Sequence, residues 1–374
     1  MPLYHSAAGM IGVSIMICIG AVYIVRSKFS ASRWLADVRS YSATCAQYIG
    51  ELARYLLNTP PGPDDADSGL RICFGNGLRP EYWDRFQLRF GIKAILEFYS
   101  ATEGTGGFDN IIFLDNLKKG DRTGYGSVGK NKDPEKIAFA KYDVAMDELV
   151  RDPVRDPAGY CIRAAVDEPG EMLVRIAQGT EFLGYTDVSA TAKKILRNVF
   201  EAGDAFTRTG DLLKVDRDGW VYFVDRIGDT FRWKGENVST AEVASELSRF
   251  EGVEEVTVYG VHVPNCDDGR AGMCALVISD GRVASHSESL TRFLDQLLQH
   301  AKARLPAYAV PLYLRLLSTI DSTGTFKHQK MRLRNEGLDV GKVTDPIYQL
   351  VDSAYVRMAP STDKAPLFSG VPPL

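Results

Sequence analysis

The chain has 374 residues, of which 45% are hydrophobic and 25% charged, and a formal net charge of -4. That length allows two or three domains with cores of their own, and the charge lacks the basic excess of a nucleic-acid binder. Anionic ligands must then be held by local groups rather than by a global positive field. Cys18, Cys45, Cys73, Cys161, Cys266 and Cys274 are scattered, with neither zinc spacing nor a disulfide framework. They read as buried reduced thiols of an intracellular protein.

Ala7 to Val25 carries no charge, and Arg26, Lys28 and Arg33 follow it. Length and flanks fit a membrane span or signal anchor. Gly20 divides the run into a helix-like half and a β-rich Ala21–Val25, which equally suits a buried helix followed by a buried strand. Pro60 to Gly69 is a surface loop. Leu70 to Phe74 reads as a strand running into the turn Gly75-Asn76-Gly77. Pro80 then opens a helix with Trp83, Phe86 and Phe90 on its inner face, and Gly91 ends it. Ile92 to Phe98 is the next strand and leads into Tyr99-Ser100-Ala101-Thr102-Glu103-Gly104. Parallel β-α-β units put the loops after both strands on one sheet edge, so these two loops should lie side by side where open α/β sheets bind ligands.

From about Gly170 the pattern turns to short strands. Its clearest unit is a hairpin, Leu212–Val215 and Trp220–Val224, closed through Asp216-Arg217-Asp218-Gly219. With that turn, Asp211 and Arg226 become diagonal neighbours at the open end, within reach of one small ligand. Ser239-Thr240-Ala241-Glu242 is a capping box that starts a helix with Val243, Leu247 and Phe250 on one face. Strands follow near Val256–Val261 and Gly272–Ile278, and then a helix carrying Leu290, Phe293, Leu294, Leu297 and Leu298. The domain boundary falls near Ile227 and Gly228. Lys330, Arg332 and Arg334 read as a solvated basic face.

These segments carry a resemblance. Leu3-Tyr4-His5, Gly75-Asn76-Gly77-Leu78-Arg79, Tyr99 to Gly104, Thr209-Gly210-Asp211, the run Asp225 to Ser239 and Thr323-Gly324-Thr325-Phe326-Lys327 resemble successive motifs of adenylate-forming enzymes. The GNGLR loop and the long run are similar to the very-long-chain acyl-CoA synthetase and fatty acid transport branch. The resemblance covers all but the last thirty or so residues. It implies an α/β large-domain remainder, a doubly wound sheet plus a small β-barrel-like subdomain, followed by a small α+β lid. In residues this is 1–226 (α/β to about 165, then β-rich), a lid over 227–345 and a tail over 346–374. It also favours buried core for Ala7–Val25.

The implied activity joins a long or very long fatty acid to coenzyme A with ATP and Mg2+, through an acyl-adenylate. Tyr99 would stack on adenine above Gly75, Asn76 and Gly77, while Asp211 and Arg226 would hold the ribose. Glu103 would hold Mg2+ with Thr102 beside the phosphate, and Lys327 would neutralise the α-phosphate. Gly228 would be the hinge of a domain rotation, Gly235 would line the pantetheine channel and His5 the acyl channel. The family's glycine-rich phosphate loop precedes the Leu-Tyr-His motif, before which stand only Met1 and Pro2. The expectation is therefore a fragment lacking that loop. Alternatives are a catalytically impaired lipid- or nucleotide-binding protein tied to fatty acid uptake, and an acyl-activating enzyme of specialised metabolism. The resemblance also implies membrane association at the endoplasmic reticulum, peroxisome or plasma membrane. The C-terminus Gly370-Val371-Pro372-Pro373-Leu374 is not a peroxisomal SKL-type signal.

Overall fold

The computed structural model describes residues 3–4, 6–100, 106–143, 152–177, 182–234, 236–263, 269–278, 287–321, 330–339 and 343–358. Through these residues the chain divides into two compact units, 3–142 with 153–223, and 224–321 with 143, 152 and 330–358.

The first unit holds two sheets. In one, β1 (Cys45–Ile49), β2 (Ile72–Asn76) and β3 (Ala94–Ser100) run parallel, and β4 (Gly107–Phe113) closes the edge antiparallel to β3. The connecting helix Pro80–Arg89 starts on its proline, as the fixed φ of that residue favours. Its periodic face is core: Trp83, Phe86 and Phe90 are buried together with Tyr48, Leu70 and Ile95. Gln87 inside that face donates to the Ile112 carbonyl at 3.0 Å, tying the helix to β4.

The other sheet has the order β5 (Gly129–Lys130), β10 (Trp220–Arg226), β9 (Ala205–Val215), β7 (Gly170–Arg175) and β6 (Ile137–Lys141), with β8 (Ile195–Arg197) also on β9. The turn between β9 and β10 forms where the sequence predicts it. The Asp216 carboxylate accepts from the backbone of Asp218 and Trp220, and the Asp216 amide donates to the Trp220 carbonyl at 3.0 Å.

Three expectations need correction here. Residues Ala7–Ser14 form a π-helix and Ile15–Ile19 one further helical stretch that stops at Gly20. Ala7, Ala8 and Gly12 are buried, but Ile17, Ile19 and Val22 are 75%, 67% and 88% exposed, so the second half of the run is not the buried segment anticipated. Among the described residues no helix is long and apolar enough to cross a membrane. Of the cysteines, Cys73, Cys161 and Cys274 are buried, but Cys18 and Cys45 are exposed.

The second unit pairs β11 (Phe231–Trp233) antiparallel with β12 (Glu236–Val238) and is built on the sheet β13 (Val253–His262), β14 (Arg270–Ile278), β15 (Tyr313–Leu316), β16 (Ile347–Val351) and β17 (Ala354–Arg357), all antiparallel neighbours except the parallel β14–β15 pair. Helices Thr240–Ser248, Ser287–Arg304 and Lys330–Glu336 belong to this unit, with Leu247, Leu297, Leu298 and Leu333 in its core. The capping box is real, since Ser239 Oγ accepts from the Glu242 amide at 3.2 Å. The tail expected from 346 begins instead as sheet. Ile347, Tyr348 and Tyr355 are buried in a hairpin that pairs with β15, two apolar runs too short to stand out in the sequence.

Candidate functional site

In the first unit the register places Gly75 of β2 beside Glu97 of β3, so both strands deliver their C-terminal loops to one sheet edge. That juxtaposition is the one the β-α-β pattern predicts. Gly75 is demanded by packing: a Cβ there would stand 2.2 Å from the Tyr48 carbonyl oxygen of β1. Gly77, two residues on, is exposed with φ +74°.

The loop is held from beneath by Glu97, which is only 3% exposed. Its Oε1 accepts from the Gly77 amide at 2.5 Å and the Leu78 amide at 3.2 Å, and its Oε2 bonds the Tyr48 hydroxyl at 2.5 Å. Burial pushes the Glu97 carboxyl up to about 8, against the opposing pull of these donors. Burial, with the Glu97 charge, also lifts the Tyr48 phenol well above its ordinary range. Glu97 is thus a carboxyl sized and placed to fix the backbone of the loop. Sequence reasoning missed it. The available signal was a lone acid in an otherwise apolar strand, Ala94-Ile95-Leu96-Glu97-Phe98.

Two residues beyond Glu97, Tyr99 donates its hydroxyl to Asp211 Oδ2 at 2.6 Å, a bond spanning 112 residues of chain. The Tyr99 ring leans on Phe108 at 6.1 Å between centroids. Asp211 reaches it through a local irregularity. Glu171 pairs with Leu212 and Leu173 with Arg208, so residues 209 to 211 of β9 face Met172 alone. This bulge turns on Gly210, whose φ is +78°. The Thr209 hydroxyl braces it by donating to the Met172 carbonyl at 2.8 Å. Beside the bulge Arg208 grips the fully buried Glu171 at 2.6 Å. The TGD triplet therefore works as a bulge that re-aims one carboxylate at the sheet edge.

A shallow cavity of about 390 Å³ opens next to Ser100, where β3 ends. Lys130, Lys132 and Lys136 line it, against Asp109 and Asp133. Such a local excess of positive charge is what an anionic ligand needs on a chain of net negative charge.

The structure thus brings together Gly75, Asn76, Gly77, Tyr99 and Asp211. Arg226 lies at the exposed end of β10 within the second unit, as does Gly228 in the turn that follows. The expected pairing of Asp211 with Arg226 is a relation between units and stays an expectation. His5, Thr102, Glu103, Gly235 and Lys327 lie outside the described residues.

Comparison with known proteins agrees with this geometry. The family model described as AMP-binding enzyme matches residues 1–185, and that for the AMP-binding enzyme C-terminal domain matches 242–327. Long-chain fatty acid transport protein 2 of Rattus norvegicus is 45% identical over 365 residues, covering 96% of this chain and 55% of that protein. The medium/long-chain-fatty-acid–CoA ligase FadD6 of Mycobacterium tuberculosis is 41% identical over 358 residues, covering 95% and 56%. The chain spans about half the length of the curated relatives it matches. Among solved structures, ATP-bound MatB of Rhodopseudomonas palustris superposes with a TM-score of 0.66 at 22% identity, over 90% of this chain and 58% of that one. The o-succinylbenzoate CoA synthetase of Bacillus subtilis with its acyl-adenylate gives 0.61 at 21% identity, over 90% and 59%.

Proposed function

The chain belongs to the AMP-binding, adenylate-forming enzyme family, and on that premise we propose that it serves as an ATP-dependent ligase of long or very long fatty acids with coenzyme A. The observation that carries this reading is the Tyr99–Asp211 hydrogen bond of 2.6 Å beside the Glu97-held loop. It joins an aromatic face, a carboxylate and close-approaching backbone, the three features that an adenosine needs.

The chemistry runs in two displacements. The fatty acid carboxylate attacks the α-phosphorus of ATP and pyrophosphate leaves. The thiolate of coenzyme A then attacks the acyl carbonyl and AMP leaves. Tyr99 stacks on adenine, with Gly75, Asn76 and Gly77 beneath the base. Asp211 accepts from the ribose hydroxyls, exchanging its Tyr99 partner for them, and Arg226 donates from the same side. Lys327 would offset the charge that develops on the α-phosphate, and Glu103 would hold Mg2+ through a hard carboxylate oxygen, with Thr102 assigned to the phosphate. Mg2+ supplies Lewis-acid neutralisation of the phosphates when bound. Gly228 is the hinge between the two displacements, and the family resemblance assigns Gly235 to the pantetheine path and His5 to the acyl path. The likeness to fatty acid transport proteins supports association with a membrane surface as part of the same proposal, readable by vesicle flotation.

Calorimetric titration with AMP tests the site. We expect Asp211→Asn to weaken AMP binding about 10- to 100-fold, the cost of losing hydrogen bonds to a charged group. Equal affinity of the variant and the parent chain would sink the assignment. AMP binding without acyl-CoA formation from a long-chain acid, ATP and coenzyme A would favour a nucleotide-binding role over a ligase.

A further inference from the structure

The three basic residues that the sequence reads as a solvated face all have partners: Arg332 pairs with Asp321 at 2.7 Å and with Glu336 at 3.3 Å, and the other two are Lys330 and Arg334. Both sit on the helix Lys330–Glu336, one turn apart, and both reach the turn that follows β10. Arg334 donates to the Gly228 carbonyl at 2.8 Å. Lys330 pairs with the Asp229 carboxylate at 3.1 Å and donates to the Thr240 hydroxyl at 2.8 Å. The helix itself is anchored: Leu333 is buried, and Glu336 meets the buried Arg315 at 2.7 Å. Asp345 holds the other side of that guanidinium.

The turn is equally well defined on its own side. The Asp229 and Thr230 amides both donate to the Arg226 carbonyl, at 2.9 and 3.1 Å. Just before it, Asp225 is buried and accepts from the Thr240 amide at 2.6 Å and the Thr240 hydroxyl at 3.0 Å. The Thr240 hydroxyl is therefore a relay: it receives from Lys330 and gives to Asp225. A chain of polar contacts runs from the helix, through the first residue of the next helix, to the root of the turn.

We propose that Lys330 and Arg334 form a latch that holds the Gly228 turn in one backbone state, acting as positioning residues for the domain rotation. The reasoning is physical. A turn that must change φ and ψ needs one definite resting state, and its amide and carbonyl partners decide that state. Gly228 has no side chain with which to be held, so the grip falls on its carbonyl and on the neighbouring Asp229. Both contacts are half-buried ion pairs or charged hydrogen bonds, strong enough to bias a turn and weak enough to release it. The latch helix begins three residues after Lys327 in the sequence. The inference rests on the ligase reading for the purpose of the rotation, though not for the latch contacts.

Hydrogen exchange measured by mass spectrometry on the full chain tests it. In the double variant Lys330→Gln/Arg334→Gln the Asp229 and Thr230 amides should exchange about 10-fold faster or more, with the β13–β17 sheet unchanged. Lys330→Arg should stay close to the parent chain, because it keeps the cation. Asp229→Asn, which cuts the same bridge from the turn side, should move exchange in the same direction and serves if the double variant fails to fold. Unchanged exchange at Asp229 and Thr230 would overturn the latch, as would acceleration spread through the whole sheet. Loss of AMP binding would overturn the ligase reading and leave the latch standing.

Discussion

Two loops in this molecule are held in place by side chains from elsewhere, and they are held in opposite ways. The Gly75–Leu78 loop of the first unit rests on Glu97, a carboxyl 3% exposed whose oxygens meet two backbone amides and a phenol. The Gly228 turn of the second unit is gripped by Lys330 and Arg334, and the Lys330–Asp229 side chains are 25% and 31% exposed. A buried acid with every oxygen engaged is costly to disturb, because each orphaned donor keeps its full desolvation penalty. A half-exposed ion pair releases into water at little cost. The contrast suits the roles proposed for them, a nucleotide platform that stays fixed and a hinge that moves.

The largest expected effect tests the rigid side at its tightest point. Gly75→Ala should destabilise the first unit by about 3 kcal/mol, since the new Cβ meets a backbone oxygen that cannot retreat. Thermal unfolding within a degree or two of the parent would show that β1 and β2 have more freedom than their register allows.

Next comes Glu97→Ala, expected to cost about 2 kcal/mol in denaturant unfolding by stranding two amides and the Tyr48 hydroxyl. Glu97→Gln sharpens the point through pH. The folded carboxyl, near 8, lies above its ordinary unfolded value near 4.3, so between these the folded state binds the extra proton. Its contribution is therefore fully present at low pH and is lost as pH rises through that window. The slope is about 1.4 kcal/mol per pH unit at most. The parent chain should lose stability across the window, and Glu97→Gln should flatten that loss. Identical profiles for the two chains would mean that Glu97 ionises at an ordinary pH.

The smallest effect belongs to the latch. Lys330→Gln should lower global stability by no more than about 1 kcal/mol, as for other partly exposed pairs. A loss of several kcal/mol would make Lys330 a structural residue and erase the distinction between the two loops.

Much of this was legible in the residues. The helix from Pro80, the Asp216–Gly219 turn and the Ser239 cap are local, set by contacts within a few positions. The ending of β2 and β3 at one sheet edge followed from the handedness of parallel β-α-β units, a rule that needs only element order. The exposed second half of Ala7–Val25 was not legible, because hydropathy reports a preference for burial and not the partner that would provide it. The strands after 346 were missed for a related reason: two short apolar runs become a hairpin only when β15 offers an edge.

What the sequence determined by itself was the order and type of the elements, the glycines its tight places require, and the carriers of a possible nucleotide site. Only the tertiary structure decided what those carriers touch. The Thr209–Asp211 bulge exists because β7 and β9 pair with a slip at Met172, and Glu97 is a clamp because β1 brings Tyr48 to its other oxygen. Lys330 and Arg334 left the solvated face assigned to them because a distant turn lay within reach. Each is a relation between segments far apart in the chain, and no local rule of spacing or charge encodes the geometry of such a meeting.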